Sequence, residues 1–202
     1  RTRATAEHVR ALSGTDPVTI AALRSAGITE GAVRAALRAG SLERLRDGVV
    51  AVPLPGALNE YDAVRRRALA ALLRLHSSAA VSHEPAGTLH RLPRGLPGPV
   101  SSDDVVVTAA RSGGRQRGLR VVSGVLDVRD VEVVDGVRCT GVARTALDLA
   151  IGRPLPESLV VLDAAAARLG PRALMAAYDR IGRVRGIGDL ARLQPVGLEP
   201  LL

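Results

Sequence analysis

The alternation of hydrophobic and polar positions over the first 52 residues predicts three short helices followed by a β-hairpin. The helices are expected over Glu7–Leu12, Val18–Ala26 and Thr29–Ala39. Asp16 and Pro17 supply an N-cap and a first-turn proline for the second helix, and Thr29 caps the third. Gly27 and Gly40 end these two helices, because glycine enters the left-handed region without steric cost.

The third helix has an apolar side and a basic side. Its apolar positions recur at helical spacing and are expected to face the core; they are Ala32, Val33, Ala36 and Leu37. The opposite side carries Glu30, Arg34 and Arg38. Because Arg34 and Arg38 are four residues apart, both guanidinium groups emerge from one face of the helix.

A hairpin is expected directly after this helix. Asp47-Gly48 is a strong two-residue turn signal, and it lies between a partly alternating segment, 41–46, and the β-branched segment 49–52. Two helices joined by a short glycine-containing turn, one of them with an exposed basic face, form a helix-turn-helix, and the hairpin adds a wing. The sequence therefore predicts a winged helix-turn-helix over residues 1–53, ending at the Pro53–Gly56 break.

Residues 57–202 predict a second domain of helices and a small, mainly antiparallel sheet, so that the whole chain is α+β. Helices are expected over Asp62–Leu75, Glu84–His90, Val142–Ala150, Ser158–Leu169, Arg172–Ile181 and Gly188–Leu193. Short β-branched segments predict strands at Val105–Val107, Leu119–Val122, Val131–Val134 and Val137–Cys139. The stretch Arg111–Gly118 is interpreted as a flexible, basic loop.

Composition narrows the choice of partner. The chain has 28 basic against 20 acidic residues, a net charge of +8, and every basic residue is Arg. This surplus favours a polyanion partner, although a GC-rich genome would also give an arginine-rich chain. The only aromatic residues are Tyr61 and Tyr178, which argues against modules that stack single-stranded bases on aromatic rings. Double-stranded DNA is the polyanion that fits.

Catalytic and metal-binding signals are weak. His83 and His90 are seven residues apart, but the only cysteine, Cys139, is far from them, so core or capping histidines are favoured over a zinc site. No G-x-S-x-G or phosphate-binding P-loop motif occurs, and Arg144 and Asp148 are expected to form a simple ion pair. The sequence thus predicts no enzyme, no cofactor, no metal and no membrane span. A reducing, cytoplasmic location at the nucleoid is expected.

The candidate DNA-binding residues all lie in the first domain. Arg34 and Arg38 are expected to reach guanine edges or phosphates in the major groove. Thr29 and the first amides of its helix are expected to hold a phosphate. Arg44 and Arg46, in the hairpin, would contact the flanking backbone. The alternative is a protein-docking module whose arginines are merely solvated.

Three groups of residues together resemble a known family. They are Ala26–Val33 with Arg38–Val50, then Ala80–His90, and then Asp135–Ala150. In their order and spacing they are similar to actinobacterial members of the AbiE-type (type IV) abortive-infection antitoxins. The resemblance implies a winged-helix regulator that binds promoter repeats and represses its own operon. It also implies a second domain that opposes a nucleotidyltransferase-like toxin, which would be a protein partner.

Two other functions stay open. Many similar chains continue into a very-short-patch-repair-like endonuclease domain, beginning near the equivalent of residues 199–202. The chain would then be the DNA-targeting portion of a longer enzyme whose catalytic domain is missing here. The third hypothesis is a protein-interaction module with an incidental arginine-rich surface.

Overall fold

The protein is α+β and divides into two compact units. The computed structural model describes residues 2–93, 104–110, 113–151 and 153–185. Unit 1 comprises Arg1–Leu75 and unit 2 comprises His76–Leu202. Each unit has its own sheet and its own hydrophobic core.

Unit 1 contains four helices and a three-stranded antiparallel sheet. In chain order the elements are α1 (Thr2–Ser13), β1 (Val18–Thr19), α2 (Ile20–Ser25), α3 (Glu30–Arg38), β2 (Glu43–Arg46), β3 (Val49–Ala51) and α4 (Glu60–Leu72). The order of strands in the sheet is β1-β3-β2. The predicted hairpin at Asp47-Gly48 is confirmed: it joins β2 to β3, and Gly48 adopts a φ of 75°.

The start of the second helix differs from the prediction. Val18 and Thr19 form strand β1, which pairs with Val50 and Val49 of β3, and α2 begins only at Ile20. The N-cap is therefore Thr19, whose hydroxyl accepts from the Ala22 amide at 3.0 Å, and not Asp16. Pairing with a distant strand outweighs the local Asp-Pro helix signal, because β1 gains ladder hydrogen bonds that a frayed first turn lacks.

The core of unit 1 is aliphatic, and α1, α2, α3 and the β2–β3 hairpin all contribute to it. It is formed by Val9, Leu23, Ile28, Val33, Ala36, Leu42, Val50 and Val52. Val33 and Ala36 come from α3, and Val50 comes from β3. Because these residues pack in one cluster, α3 and the β2–β3 hairpin are held in a fixed relation to each other.

Helix α4 belongs to unit 1, whereas the sequence placed the domain boundary before it, at residues 53–57. Arg66 is only 4% exposed. Its guanidinium donates to the carbonyls of Thr15 (3.0 Å) and Val52 (2.6 Å) and to the Glu43 carboxylate (2.5 Å). Arg65 also pairs with Asp16 at 2.8 Å. These long-range bonds tie α4 to the first unit and shift the boundary to Leu75.

The described residues of unit 2 form four α-helices, one 3-10 helix and a six-stranded sheet. Its elements are β4 (Ala80–Val81), α5 (His83–Leu89), β5 (Val105–Ala109), β6 (Gly114–Gln116), β7 (Leu119–Ser123), a 3-10 helix (Val128–Asp130), β8 (Val131–Val134), β9 (Val137–Thr140), α6 (Val142–Ala150), α7 (Leu155–Leu169) and α8 (Pro171–Arg185). The strand order is β6-β7-β5-β4-β9-β8.

The sheet of unit 2 is mixed: three of its five strand pairs are antiparallel, as predicted, but with six strands it is larger than expected and includes two parallel pairs. The pairs β4–β5, β6–β7 and β8–β9 are antiparallel. The pairs β5–β7 and β4–β9 are parallel. Strand β6 lies in the connection between β5 and β7, and the elements from α5 to β8 lie in the connection between β4 and β9. Parallel pairs need such long connections, and pairing between distant segments is not visible in the local sequence.

The stretch interpreted as a flexible loop, Arg111–Gly118, contains strand β6. Gly114–Gln116 pairs with β7 in a regular antiparallel register, so this part is a hairpin. Arg111 and Ser112 of the predicted loop and the predicted helix Gly188–Leu193 lie outside the described residues.

The core of unit 2 lies between α6, α7 and α8. Leu147, Leu174 and Ile181 are its largest fully buried members. Helices α5 and α6 approach closely because α5 carries Gly87, where a Cβ would lie 2.9 Å from a methyl of Leu149. Over the residues that the structure describes, no helix combines the length and the apolar character needed to cross a membrane.

Candidate nucleic-acid interface

Helix α3 is positioned by its cap and by its apolar side. The Thr29 hydroxyl accepts a hydrogen bond from the Ala32 amide at 3.2 Å, which confirms Thr29 as the N-cap. Val33 and Ala36 are buried, while Ala32 and Leu37 pack against the same core as partly buried residues. The helix is therefore fixed from beneath, as its periodicity predicts.

The solvent side of α3 is basic. Arg34 and Arg38 are both exposed, and we call this pair the basic face of α3. The turn that precedes the helix spans four residues, 26–29, with Gly27 at a φ of 84° and Ile28 buried as its apolar plug. A rigid, short turn of this kind fixes the direction in which the basic face points.

Glu30 contributes an acid beside this face without neutralising it. Its carboxylate pairs with Arg24 at 3.1 Å and with Arg34 at 4.0 Å, so one negative charge is shared by two guanidinium groups. Each of these side chains is at least half exposed, and pairs of this kind contribute only about 0–1 kcal/mol. The arrangement leaves a net positive charge next to Arg38.

The hairpin carries the other two predicted arginines. Arg44 is exposed and lies opposite Val50, whereas Arg46 is partly buried and lies opposite Val49. The register shifts between them, so Leu45 is the extra residue of a β-bulge. Bulges bend and twist a strand locally, which changes the direction of the side chains that flank them.

Arg74 lies next to the hairpin turn, and sequence reasoning missed it. A Cβ on Gly48 would be 3.7 Å from a terminal nitrogen of Arg74, so the guanidinium lies over the turn. Arg74 itself is exposed. The predicted boundary at residues 53–57 had assigned it to another domain, whereas the long-range bonds of Arg65 and Arg66 show that α4 and the residues after it belong to unit 1.

A cavity of about 360 Å³ opens between α1 and the first turn of α3. Thr2 and Thr5 of α1 face Thr29, Gly31, Ala32 and Ala35 across it. Thr29 therefore lies where the sequence reading expects it, at the amino end of α3. Its hydroxyl uses a lone pair for the Ala32 amide, which leaves its own proton to donate.

The polar side chains of unit 2 that were considered as catalytic candidates lie in its interior. Arg144 pairs with Asp148 at 3.1 Å, as predicted, but both residues are buried, and Asp130 and Arg180 join them. Ser82 is fully buried, accepts from the Thr108 hydroxyl at 2.9 Å and contacts Nδ1 of His83 at 2.9 Å. Ser82 therefore has no surface open to solvent in this structure.

Of the candidate metal ligands, His90 and Cys139 are buried in the core, while His83 is partly buried. Nε2 of His90, a buried residue, lies 2.7 Å from the Thr140 carbonyl oxygen. Burial raises the pKa of the Cys139 thiol to about 12, and the nearby charge of Glu132 adds to the effect. A thiol with this pKa stays protonated at neutral pH and is a poor ligand. The described part of the chain contains no cluster of three or more His, Cys, Asp or Glu side chains that could hold a metal ion.

Comparison with known proteins adds no family. No protein-family model matches the chain, and no curated protein matches it. The features that indicate a function are therefore those of unit 1: the basic face of α3 and the β2–β3 hairpin.

Proposed function

We propose that the protein is a non-enzymatic regulator that binds duplex DNA through a winged helix-turn-helix formed by unit 1. The observation that carries the proposal is the basic face of α3, exposed on a helix that follows a four-residue glycine turn and precedes a β-hairpin. The element order α1-β1-α2-α3-β2-β3, with the sheet order β1-β3-β2, supports this assignment.

Each basic group has a role in this proposal. Arg34 and Arg38 enter the major groove, where a guanidinium binds guanine O6 and N7 or a phosphate. The Thr29 hydroxyl donates a hydrogen bond to a phosphate oxygen, and the positive end of the helix dipole also attracts this phosphate. Arg44, Arg46 and Arg74 lie in or over the hairpin and contact the flanking backbone.

The biological role proposed is that of an antitoxin-type repressor. It comes from the family resemblance: the protein binds promoter repeats on the chromosome in the cytoplasm, represses its own operon and opposes a nucleotidyltransferase-like toxin. A nucleotidyltransferase reading frame directly downstream of the gene would support this part of the proposal. The DNA-binding part does not depend on it.

The salt dependence of DNA binding tests the proposed function. A winged helix that meets four to six phosphates predicts a slope of log K against log salt of about −4 to −5 from the contacts of unit 1. The duplex is selected from a random pool, and its affinity for the full chain is measured by fluorescence anisotropy between about 50 and 300 mM salt. Absence of duplex binding at the lowest salt would overturn the proposal.

A further inference from the structure

Three exposed arginines lie on the β6–β7 hairpin at one edge of the unit 2 sheet. Arg115 is on β6, Arg117 is in the turn and Arg120 is on β7. All three residues of β6 are exposed, and β6 is the last strand in the sheet order. The hairpin therefore presents its arginines to solvent at the margin of the unit.

The arrangement of these arginines is electrostatically unfavourable by itself. Arg115 and Arg120 lie directly opposite each other in the strand register, so their Cβ atoms are about 5 Å apart on one face of the hairpin. Like charges placed in this way destabilise a strand pair. A bound anion would offset the repulsion.

Among the residues that the structure describes, only one of the three positive charges has a carboxylate partner. Asp104 lies 2.8 Å from Nε and 2.7 Å from Nη2 of Arg115. Within residues 104–110, 113–151 and 153–181, no carboxylate lies within 4 Å of Arg117 or Arg120. The hairpin thus carries two guanidinium groups without a carboxylate partner among the described residues: Arg117 in the turn and Arg120 on β7.

We propose that the β6–β7 hairpin is a second DNA-binding surface, on which Arg117 and Arg120 bind phosphates of a duplex. The inference rests on the proposed function, because it takes the same DNA as the ligand. No aromatic side chain occurs between residues 113 and 123, so the hairpin lacks the aromatic rings on which single-strand binders stack bases. A two-stranded ribbon that bears guanidinium groups suits the backbone of a duplex, and contacts to phosphates carry no sequence preference.

The test is the salt dependence of the full chain and of the double variant Arg117→Ala/Arg120→Ala. Loss of two phosphate contacts makes the slope shallower by about 1.8. We expect about −6 to −7 for the full chain, and about −4 to −5 for the variant. The affinity at 0.1 M salt should fall on the order of 10- to 60-fold, equally for specific and unrelated duplexes.

A matched control removes the same charge elsewhere in unit 2. Arg129→Ala/Arg172→Ala deletes two exposed arginines outside the hairpin, and the slope and affinity should stay within error of the full chain. The hairpin variant should keep its thermal midpoint or raise it, because Arg120→Ala removes a like-charge pair. Circular dichroism measures this midpoint.

The outcomes separate this inference from the proposed function. An unchanged slope in the hairpin variant overturns the second surface while leaving DNA binding by unit 1 intact, and this includes the case in which the hairpin docks an acidic protein. An equal loss in the control variant also overturns it, because the effect would then be one of net charge. Absence of DNA binding by the full chain overturns both.

Discussion

Replacing Arg34 and Arg38 together with alanine is expected to abolish specific DNA binding while the protein stays folded. A guanidinium that contacts a base edge contributes about 1–3 kcal/mol, so the double variant should lose about 2–6 kcal/mol, or about 30-fold to more than 10⁴-fold in affinity. Both side chains are exposed, and the buried core positions of the same helix, Val33 and Ala36, are untouched. Fluorescence anisotropy with the selected duplex measures the affinity.

Two further variants sharpen this result. Arg129→Ala/Arg172→Ala, with the same loss of charge in unit 2, should bind DNA normally. Arg34→Lys/Arg38→Lys keeps both charges but not the planar fork of the guanidinium, so it should retain the salt slope and lose discrimination between specific and unrelated duplexes. Wild-type affinity in the double alanine variant would remove α3 from the interface.

Replacing Asp130 with alanine is expected to destabilise unit 2 by about 3–5 kcal/mol. The Asp130 carboxylate accepts from Arg180 at 2.6 and 3.0 Å and lies 3.8 Å from Arg144. Both Asp130 and Arg144 are only 3% exposed. Without the carboxylate, Arg144, which is 3% exposed, keeps Asp148 as its ion-pair partner, while Arg180 loses both of its short hydrogen bonds to Asp130.

Tyrosine fluorescence can follow this unfolding unit by unit. The chain has only two aromatic residues, so in a Tyr61→Phe background Tyr178 of α8 reports on unit 2 alone. Urea titration then gives the free energy of unfolding. Asp179→Ala, an exposed neighbour on α8, should change it by no more than about 0.5 kcal/mol. A cost below about 1 kcal/mol for Asp130→Ala would show that the cluster is open to water.

The local structure of α3 and of the hairpin could be predicted from the sequence because local rules determine it. Thr29 precedes an amphipathic segment and caps it, Gly27 takes the positive φ of the turn, and Asp47-Gly48 forms a two-residue hairpin turn. Each feature depends on residues within a few positions of one another. The predicted exposure of Arg34 and Arg38 follows from the same periodicity.

The elements that sequence reasoning missed depend on distant partners. Val18 and Thr19 are extended because they pair with β3, some 30 residues later, against a local helix signal. Arg66 resembles any arginine on the solvent side of a helix, yet it is buried by carbonyls and a carboxylate from three other segments. Hydropathy cannot reveal such a bond, and the domain boundary was misplaced with it.

Unit 2 shows the same limit for a sheet. Short β-branched segments identified strands β5, β7, β8 and β9, whereas β4 and β6 have two or three residues each and no strong hydrophobic pattern. Strand order and the parallel pairs β5–β7 and β4–β9 depend on crossovers whose route the sequence does not encode locally. Only the strand register shows that Arg115 of β6 lies opposite Arg120 of β7.

The most direct test of DNA binding by unit 1 is an NMR titration of the ¹⁵N-labelled full chain with the selected duplex. We expect the amide signals of residues 29–38 and 44–48 to shift or broaden as DNA is added, while those of α7 and α8 stay unchanged. A saturating complex in which the signals of Glu30–Arg38 do not move would contradict the account, because DNA would then be bound elsewhere on the protein.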